Sequence, residues 1–488
     1  MRIPTILLSL ALAVAPACAW AIDSRHVEAR LHDTTAAFAR NRSFNGVVLV
    51  ANAQGVVLNE AYGESSLELD TPLRPQDVFR VGSLTKPLTS VLVLSLVNDG
   101  LLRLDGTLGE YLPDLYAGTP AASVTVQQLL SHTSGIKDLP ANYNDPFWRV
   151  SARQNFTPDV FAKTWIPPEI IDPPGKWRYN NNGFYLLGLI AEKVTGQPYA
   201  EALTQRVLVR AGMTHSGTFD GSTVVPRLVN GYTRSDTGEM IRPMIVDPTV
   251  SYAAAAAYSN AEDLLAFSRA LSGDRLLPQA LRSQMFTDRG NGYGLGWGIE
   301  EWPTAGGARM TVQTHTGSIP GYQTIFVRAD DGTVVVVMSN FWQGITSLEL
   351  GRALFAVAHG EQAVVPKRQL ADLITPLAAR NDLTGMQAAY ETSVAASPDT
   401  FDLSESALNG LGYSLLRKGF RDPAVLVFEW NAASHPQSSN VHDSLGEAYL
   451  AVGRQQDARH SYEAALRLDP NSQSARSALA SIGSSNIK

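Results

Sequence analysis

The chain reads as an α+β fold, an antiparallel sheet with flanking helices and a helical lobe, followed by an all-α helical-repeat domain. Three features predict this: β-rich runs at both ends of the first 360 residues, helical periodicity between them, and a self-similarity of period 34 beyond Pro366. With 488 residues, 44% of them hydrophobic, the chain has enough apolar surface for more than one packed domain.

The first element is a leader. Arg2 supplies a positive end, residues 6–14 are apolar, and small residues follow at Ala17, Ala19 and Ala21, the pattern of a secretory signal peptide. Cleavage after Ala19 or Ala21 predicts a secreted or periplasmic protein. The single cysteine, Cys18, lies in this leader, so the mature chain carries no thiol and no disulfide. Lipid anchoring at Cys18 is the sharper alternative, and Ala15-Pro16-Ala17 argues against it by lacking a large aliphatic residue. The leader's apolar run is too short for a membrane span and no later stretch approaches the required length, so no transmembrane span is expected. A net charge of −7 without a basic cluster excludes nucleic acid as a partner.

An amphipathic helix is expected over residues 26–40. Two β-rich runs, 46–51 and 55–62, flank Asn52-Ala53-Gln54 and read as a hairpin. A helix opens at Ser83. The long middle region has helical periodicity broken by loops at 117–123, 138–147 and 167–177, and reads as a helical insertion. Strands return at 293–300, 309–314, 322–328 and 333–339, with Asp330-Asp331-Gly332 as a turn, and residues 345–359 are helical. Sheet pieces at both ends imply that the first and last strands are neighbours and that a cleft lies between sheet and helical lobe. The expected divisions are a signal peptide over 1–21, an α+β domain over 22–362 and helical repeats over 363–488.

In the last part Leu411-Gly412 recurs as Leu445-Gly446, Gly419 as Gly453, Ala424 as Ala458, Phe428 as Tyr462 and Pro436 as Pro470. This resembles the tetratricopeptide repeat, whose helix pairs bury their apolar faces by stacking. Tyr390 and Pro398 have the spacing of Phe428 and Pro436, which marks a degenerate first unit and makes three in all.

The chemistry lies in three short strings. Ser83 and Lys86, three positions apart on a helix, share a face, so an ammonium reaches a hydroxyl: the makings of an activated nucleophile. Gly82 permits a tight turn into that helix, placing the Ser83 N–H where unpaired donors accumulate, ready as half of an oxyanion hole. Lys86 has two available roles, as a base if burial lowers its pKa or as a cation lowering that of a neighbouring acid. Tyr179 offers a phenol able to shuttle the serine proton, and Asn181 can orient Lys86 and a substrate amide. His315-Thr316-Gly317 ends a β-rich run whose small residues let substrate backbone lie along the strand edge, with Gly317 there for close approach. The Ser318 N–H is the candidate second oxyanion donor, and His315 supplies either positive charge or a hydrogen bond, according to its environment.

SLTK at 83–86, YNN at 179–181 and HTG at 315–317 resemble the three motifs of the serine β-lactamase and penicillin-binding protein superfamily, in particular its class C β-lactamase and D-alanyl-D-alanine carboxypeptidase branch. LLSHTSGI (129–136), PGKWRYNNNGFYLLGLIAEKVTG (174–196), YSNAEDLL (258–265) and YGLGW (293–297) are similar as well. The resemblance implies a β-lactamase/transpeptidase-like fold, an acyl-enzyme on Ser83, acid and base duties shared by Lys86 and Tyr179, and no metal or organic cofactor. Two departures stand out. Class C β-lactamases have lysine where this chain has His315, which shifts weight toward peptidase or esterase. Alanines at 253–257 replace frequent glycines, a change expected to bear on loop packing and not on chemistry.

Other residues read as structural: His132 as a fold determinant that caps or bridges backbone, Asp105 and Asp263 as helix-start caps, and Trp148, Trp165 and Trp177 as packing. No Cys/His metal spacing is present. The expected function is an exported serine hydrolase acting on a small molecule or short peptide, with D-alanyl peptide, carboxylic ester and β-lactam ranked in that order. The alternative is a catalytically idle envelope scaffold or sensor that recruits a protein partner through the repeats.

Overall fold

The structure, a computed structural model, describes residues 24–342, 346–362, 366–396 and 400–485. The leader, its cleavage positions and Cys18 lie outside the described residues, as does Pro398. Among the described residues no helix is long and apolar enough to cross a membrane.

A helix over Ser24–Arg42 leads into strands β1 (Gly46–Asn52) and β2 (Gly55–Tyr62). Their turn is held by the Asn52 side-chain oxygen, which accepts from the N–H groups of Gln54 and Gly55. Near the other end come β3 (Gly298–Thr304), β4 (Ala308–Ile319), β5 (Tyr322–Ala329) and β6 (Val334–Ser339). These six form one sheet in the order β3-β4-β5-β6-β1-β2, with every neighbouring pair antiparallel. The first strand of the chain lies beside the last of the sheet, Val48 opposite Val337. Both are apolar on both faces because both faces are covered. Val47, Leu49 and Val336 join the larger core with the helix Thr85–Asn98, while Val48, Val50 and Val337 meet Leu31, Phe38 and Leu354 of the helices Ser24–Arg42 and Thr346–Ala358.

The strand expected from residue 293 begins at Gly298. Tyr293–Trp297 instead forms a turn: Gly296 has φ +81°, and a Cβ there would stand 2.7 Å from Ser90 Cβ, so the segment tucks against the Ser83-bearing helix. Asp105 and Asp263 are not the caps. Thr107 with Glu110 closes one capping box, and Asn260 caps the helix Ala261–Ser272, leaving the Asp263 carboxylate to accept from His215 N–H at 2.7 Å.

Beyond the sheet and its helices lie helix pairs. Glu405–Arg417 packs on Arg421–Ser434, and Ser439–Ala451 on Gln455–Leu468. Their period has a steric cause. A Cβ on Gly412 would meet the Phe428 ring at 2.6 Å, and one on Gly446 the Tyr462 ring at 2.8 Å, so each glycine is the socket for its own pair's aromatic. In the degenerate first pair, Ala371–Ala379 and Leu383–Ala395, the aromatic Tyr390 stacks instead on Trp430 of the next pair at 4.3 Å.

Candidate active site

Ser83 sits in a 3-10 turn, Gly82–Leu84, immediately before the helix Thr85–Asn98. Gly82 adopts the left-handed φ of +53°, and a Cβ on it would lie 2.9 Å from the backbone nitrogen of Ser318. The turn is therefore pressed onto β4, with the N–H groups of Ser83 and Ser318 brought to the same edge. β3 pairs with β4 only as far as Thr314, so the edge from His315 to Ile319 faces the cleft with no strand beside it. The pleat divides His315 to Ser318: Thr316 and Ser318 are exposed to the cleft, His315 and Gly317 are buried behind it. A Cβ on Gly317 would stand 2.0 Å from Val81 O and 2.2 Å from Thr324 Oγ1. The close approach that glycine permits is thus with the chain's own backbone, not the substrate's.

Lys86 is fully buried, on a helix whose residues 85–96 are all buried. Its Nζ faces three acceptors: Ser83 Oγ at 3.1 Å, Asn181 Oδ1 at 2.8 Å and Ala254 O at 3.1 Å. Burial lowers its pKa to about 7, against the opposing charge of Asp138. The Tyr179 ring lies 4.8 Å from Nζ. Burial pushes the Tyr179 phenol well above its ordinary range, and a side-chain hydrogen bond with Ser83 opposes that only in part. One neighbouring lysine does not yield a phenolate here.

His315 is 5% exposed, and burial, reinforced by the charge of Lys86, lowers its pKa to about 3. It is neutral. Its Nδ1 lies 2.7 Å from the Thr316 carbonyl, which only accepts, so Nδ1 carries the proton; Nε2 then accepts from the Tyr293 hydroxyl at 2.9 Å. Of the two expectations for this residue, the environment selects the hydrogen bond and excludes positive charge. His132 sits beneath, in the left-handed region at φ +58°, its Nδ1 accepting from the N–H of Asn180 at 3.1 Å and its own carbonyl accepting from Arg178 N–H. It bridges backbone.

Three contributors escaped the sequence reading. Asp138, two residues beyond LLSHTSGI, accepts from the backbone N–H groups of Asn181 and Asn182 and from Asn181 Nδ2 at 3.2 Å, which turns Asn181 Oδ1 toward Lys86. Burial raises the Asp138 pKa against those donors. The alanine run also bears on the site, contrary to expectation. Tyr252, at φ +36°, kinks the helix Pro248–Ala255 so that the carbonyls of Ala253 and Ala254 accept from Thr89 and Lys86, a strain of about 1–3 kcal/mol held by the surrounding packing. Finally, Trp148 lines the cleft instead of merely packing, with Tyr143 beside it at 4.9 Å between ring centres and Trp342 edge-on to Tyr143 at 5.4 Å. Trp342 Nε1 donates to Ser318 Oγ at 2.8 Å. Trp165, packed against Phe147, is structural as expected.

The cleft is a cavity of about 320 Å³. Ser83, Tyr179, Asn181, Thr316 and Ser318 line its polar side, and neither His315 nor Gly317 reaches it. Among the described residues no group of three or more His, Cys, Asp or Glu side chains is placed to hold a metal ion.

Residues 27–359 match the family model described as Beta-lactamase, and residues 439–472 match Tetratricopeptide repeat. Penicillin-binding protein 4* of Bacillus subtilis (strain 168) is 26% identical over 320 residues, covering 61% of this chain and 68% of its own length. Esterase EstB of Burkholderia gladioli is 26% identical over 370 residues, covering 67% of this chain and 94% of its own. Among solved structures, a penicillin binding protein from Bacillus halodurans superimposes with TM-score 0.57 at 25% identity, covering 65% of this chain and 96% of that one. A D-stereospecific amidohydrolase from Streptomyces sp. does so with TM-score 0.55 at 25% identity, over 67% and 98%. Sheet order, motif placement and these similarities agree: the chain belongs to the β-lactamase and penicillin-binding protein family of serine hydrolases, with esterase and amidase relatives, and carries a tetratricopeptide-repeat region after it.

Proposed function

We propose that the protein is an exported serine hydrolase that forms an acyl-enzyme on Ser83 from a small ester or amide. The observation carrying this is the Lys86 amine, held 3.1 Å from Ser83 Oγ with its other two directions taken by Asn181 Oδ1 and Ala254 O. Deprotonated Lys86 keeps two N–H donors on those fixed acceptors and aims its lone pair at the serine hydroxyl.

Ser83 Oγ bonds to the substrate carbonyl carbon while its proton passes to Lys86 Nζ. The N–H groups of Ser83 and Ser318 hold the resulting oxyanion. Tyr179, neutral because burial raises its pKa, gives its phenolic proton to the leaving oxygen or nitrogen as that bond to carbon breaks, and is reprotonated from Lys86. The alcohol or amine departs and the acyl group remains on Ser83. Water then adds to the acyl carbon, gives one proton to the same Lys86 and Tyr179 pair, and releases the carboxylic acid with Ser83 restored. Asn181 orients Lys86; Thr316 lines the substrate edge. The divisions at 1–21, 22–362 and 363–488 accompany this reading, the leader directing export and the repeats offering a surface for a protein partner.

A fluorophosphonate probe tests it: labelling of the wild type and none of Ser83→Ala is expected. Equal labelling of both removes Ser83 as nucleophile, and labelling of neither folded protein favours the idle scaffold.

A further inference from the structure

We propose that the Ser83 cavity takes an uncharged ester or amide with an apolar, preferably aromatic, group, and that it discriminates against substrates bearing a carboxylate on the part seated there. This rests on the hydrolase reading and narrows its substrate class. It reverses the order in which D-alanyl peptides stood ahead of esters.

Three observations combine. None of the residues lining the cavity is charged. Lys86 and His315, which stand close behind the lining, are already committed. Lys86 lies beneath the surface with its three directions taken by Ser83, Asn181 and Ala254. His315 is turned inward by the strand pleat and donates to the Thr316 carbonyl. A carboxylate entering the cavity would lose its water and find no counter-charge.

The rest of the lining is largely apolar and includes Leu139, Tyr143, Trp148, Val246, Val250 and Pro320. Trp148 is anchored by its Nε1, which donates to the Pro140 carbonyl at 2.6 Å, so the indole presents a fixed apolar face to the cleft. Tyr143, 37% exposed, leans on it at the cavity's edge. Such an apolar wall gains from an aromatic or branched alkyl group and gains nothing from an anion.

The reaction is ester or amide hydrolysis as described above, with water as co-reactant: Ser83 Oγ bonds to the acyl carbon, the leaving bond breaks, and water completes the acid. Two matched substrate pairs test the inference on the full-length chain, with the Ser83→Ala rate subtracted. The first sets p-nitrophenyl hexanoate against mono-p-nitrophenyl adipate, with charge on the acyl end. The second sets phenyl phenylacetate against 3-carboxyphenyl phenylacetate, with charge on the leaving group. In both, kcat/KM should favour the neutral member by about thirtyfold or more. Tyr143→Arg, at the rim, should narrow the gap about tenfold in at least one pair by supplying the missing cation. Fluorophosphonate labelling separates the two levels. If Ser83 is labelled and the charged members turn over as fast as the neutral ones, the substrate class is wrong while the hydrolase stands. If Ser83-dependent labelling is absent, both fall together.

Discussion

Lys86 combines two conditions that rarely coincide, complete burial and three fixed hydrogen-bond acceptors. Burial drives the proton off and the charge of Asp138 opposes it, which lowers the pKa to about 7. In the proposed mechanism acylation requires the free base, so kcat/KM should rise with pH through a midpoint near 7. Asp138 raises the Lys86 pKa through its charge. Asp138→Asn should therefore move that midpoint to lower pH, by about one unit for ~1.4 kcal/mol of lost attraction, besides lowering kcat by loosening Asn181. A midpoint that stays in place would restrict Asp138 to holding the backbone. Ser83, Lys86, Tyr179 and Asn181 were legible because their residue types and spacings carry chemistry. Asp138 was not, because its importance depends on N–H groups at a helix start more than forty residues away. Nor was Ala254, which contributes a carbonyl that every residue possesses. The state of His315 required its burial, which no string of letters prints.

The sheet edge and the Ser83 turn meet through missing side chains. Gly317 leaves room for Val81 O and Thr324 Oγ1, and Gly82 for the nitrogen of Ser318. Gly317→Ala should therefore force β4 away from the turn, costing about 1–3 kcal/mol from overpacking and separating the two proposed oxyanion donors, the N–H groups of Ser83 and Ser318. A fall in melting temperature together with at least tenfold lower kcat on a neutral ester is expected; native kcat would detach the close approach from catalysis. The strands themselves were readable, since β1 and β6 are apolar on both faces, as a covered central position requires. The false start at Tyr293 had a good pattern and the wrong geometry. Two glycines in YGLGW serve a turn that packs on the Ser83 helix, and hydrophobic alternation is blind to that purpose.

Across the whole molecule, apolar residues gather into separate cores: two around the sheet, one within the first helix pairs of the repeat region and one at its end. The hydrolase and repeat parts meet through polar contacts, among them Asn41 Nδ2 donating to Pro366 O at 2.8 Å and the Arg234–Asp372 pair at 3.9 Å, beside a cavity of about 420 Å³. Cores that share little apolar surface lose structure independently. Heating should accordingly melt the repeats in a transition of their own while Ser83 still accepts the phosphonate; a single concerted transition that abolishes labelling would show the parts to be one cooperative unit. The 34-residue period was visible beforehand because it recurs, whereas the polar seam between the parts was not, because it repeats nothing. The glycine sockets carry this further. Since Gly412 houses Phe428 and Gly446 houses Tyr462 inside their own hairpins, these two hairpins are each latched from within, while Leu445 and Ala448 of the second join the core of the first. A change at the outer end is therefore felt by the adjoining hairpin through that shared core and fades beyond it, which leaves the chemistry upstream the same.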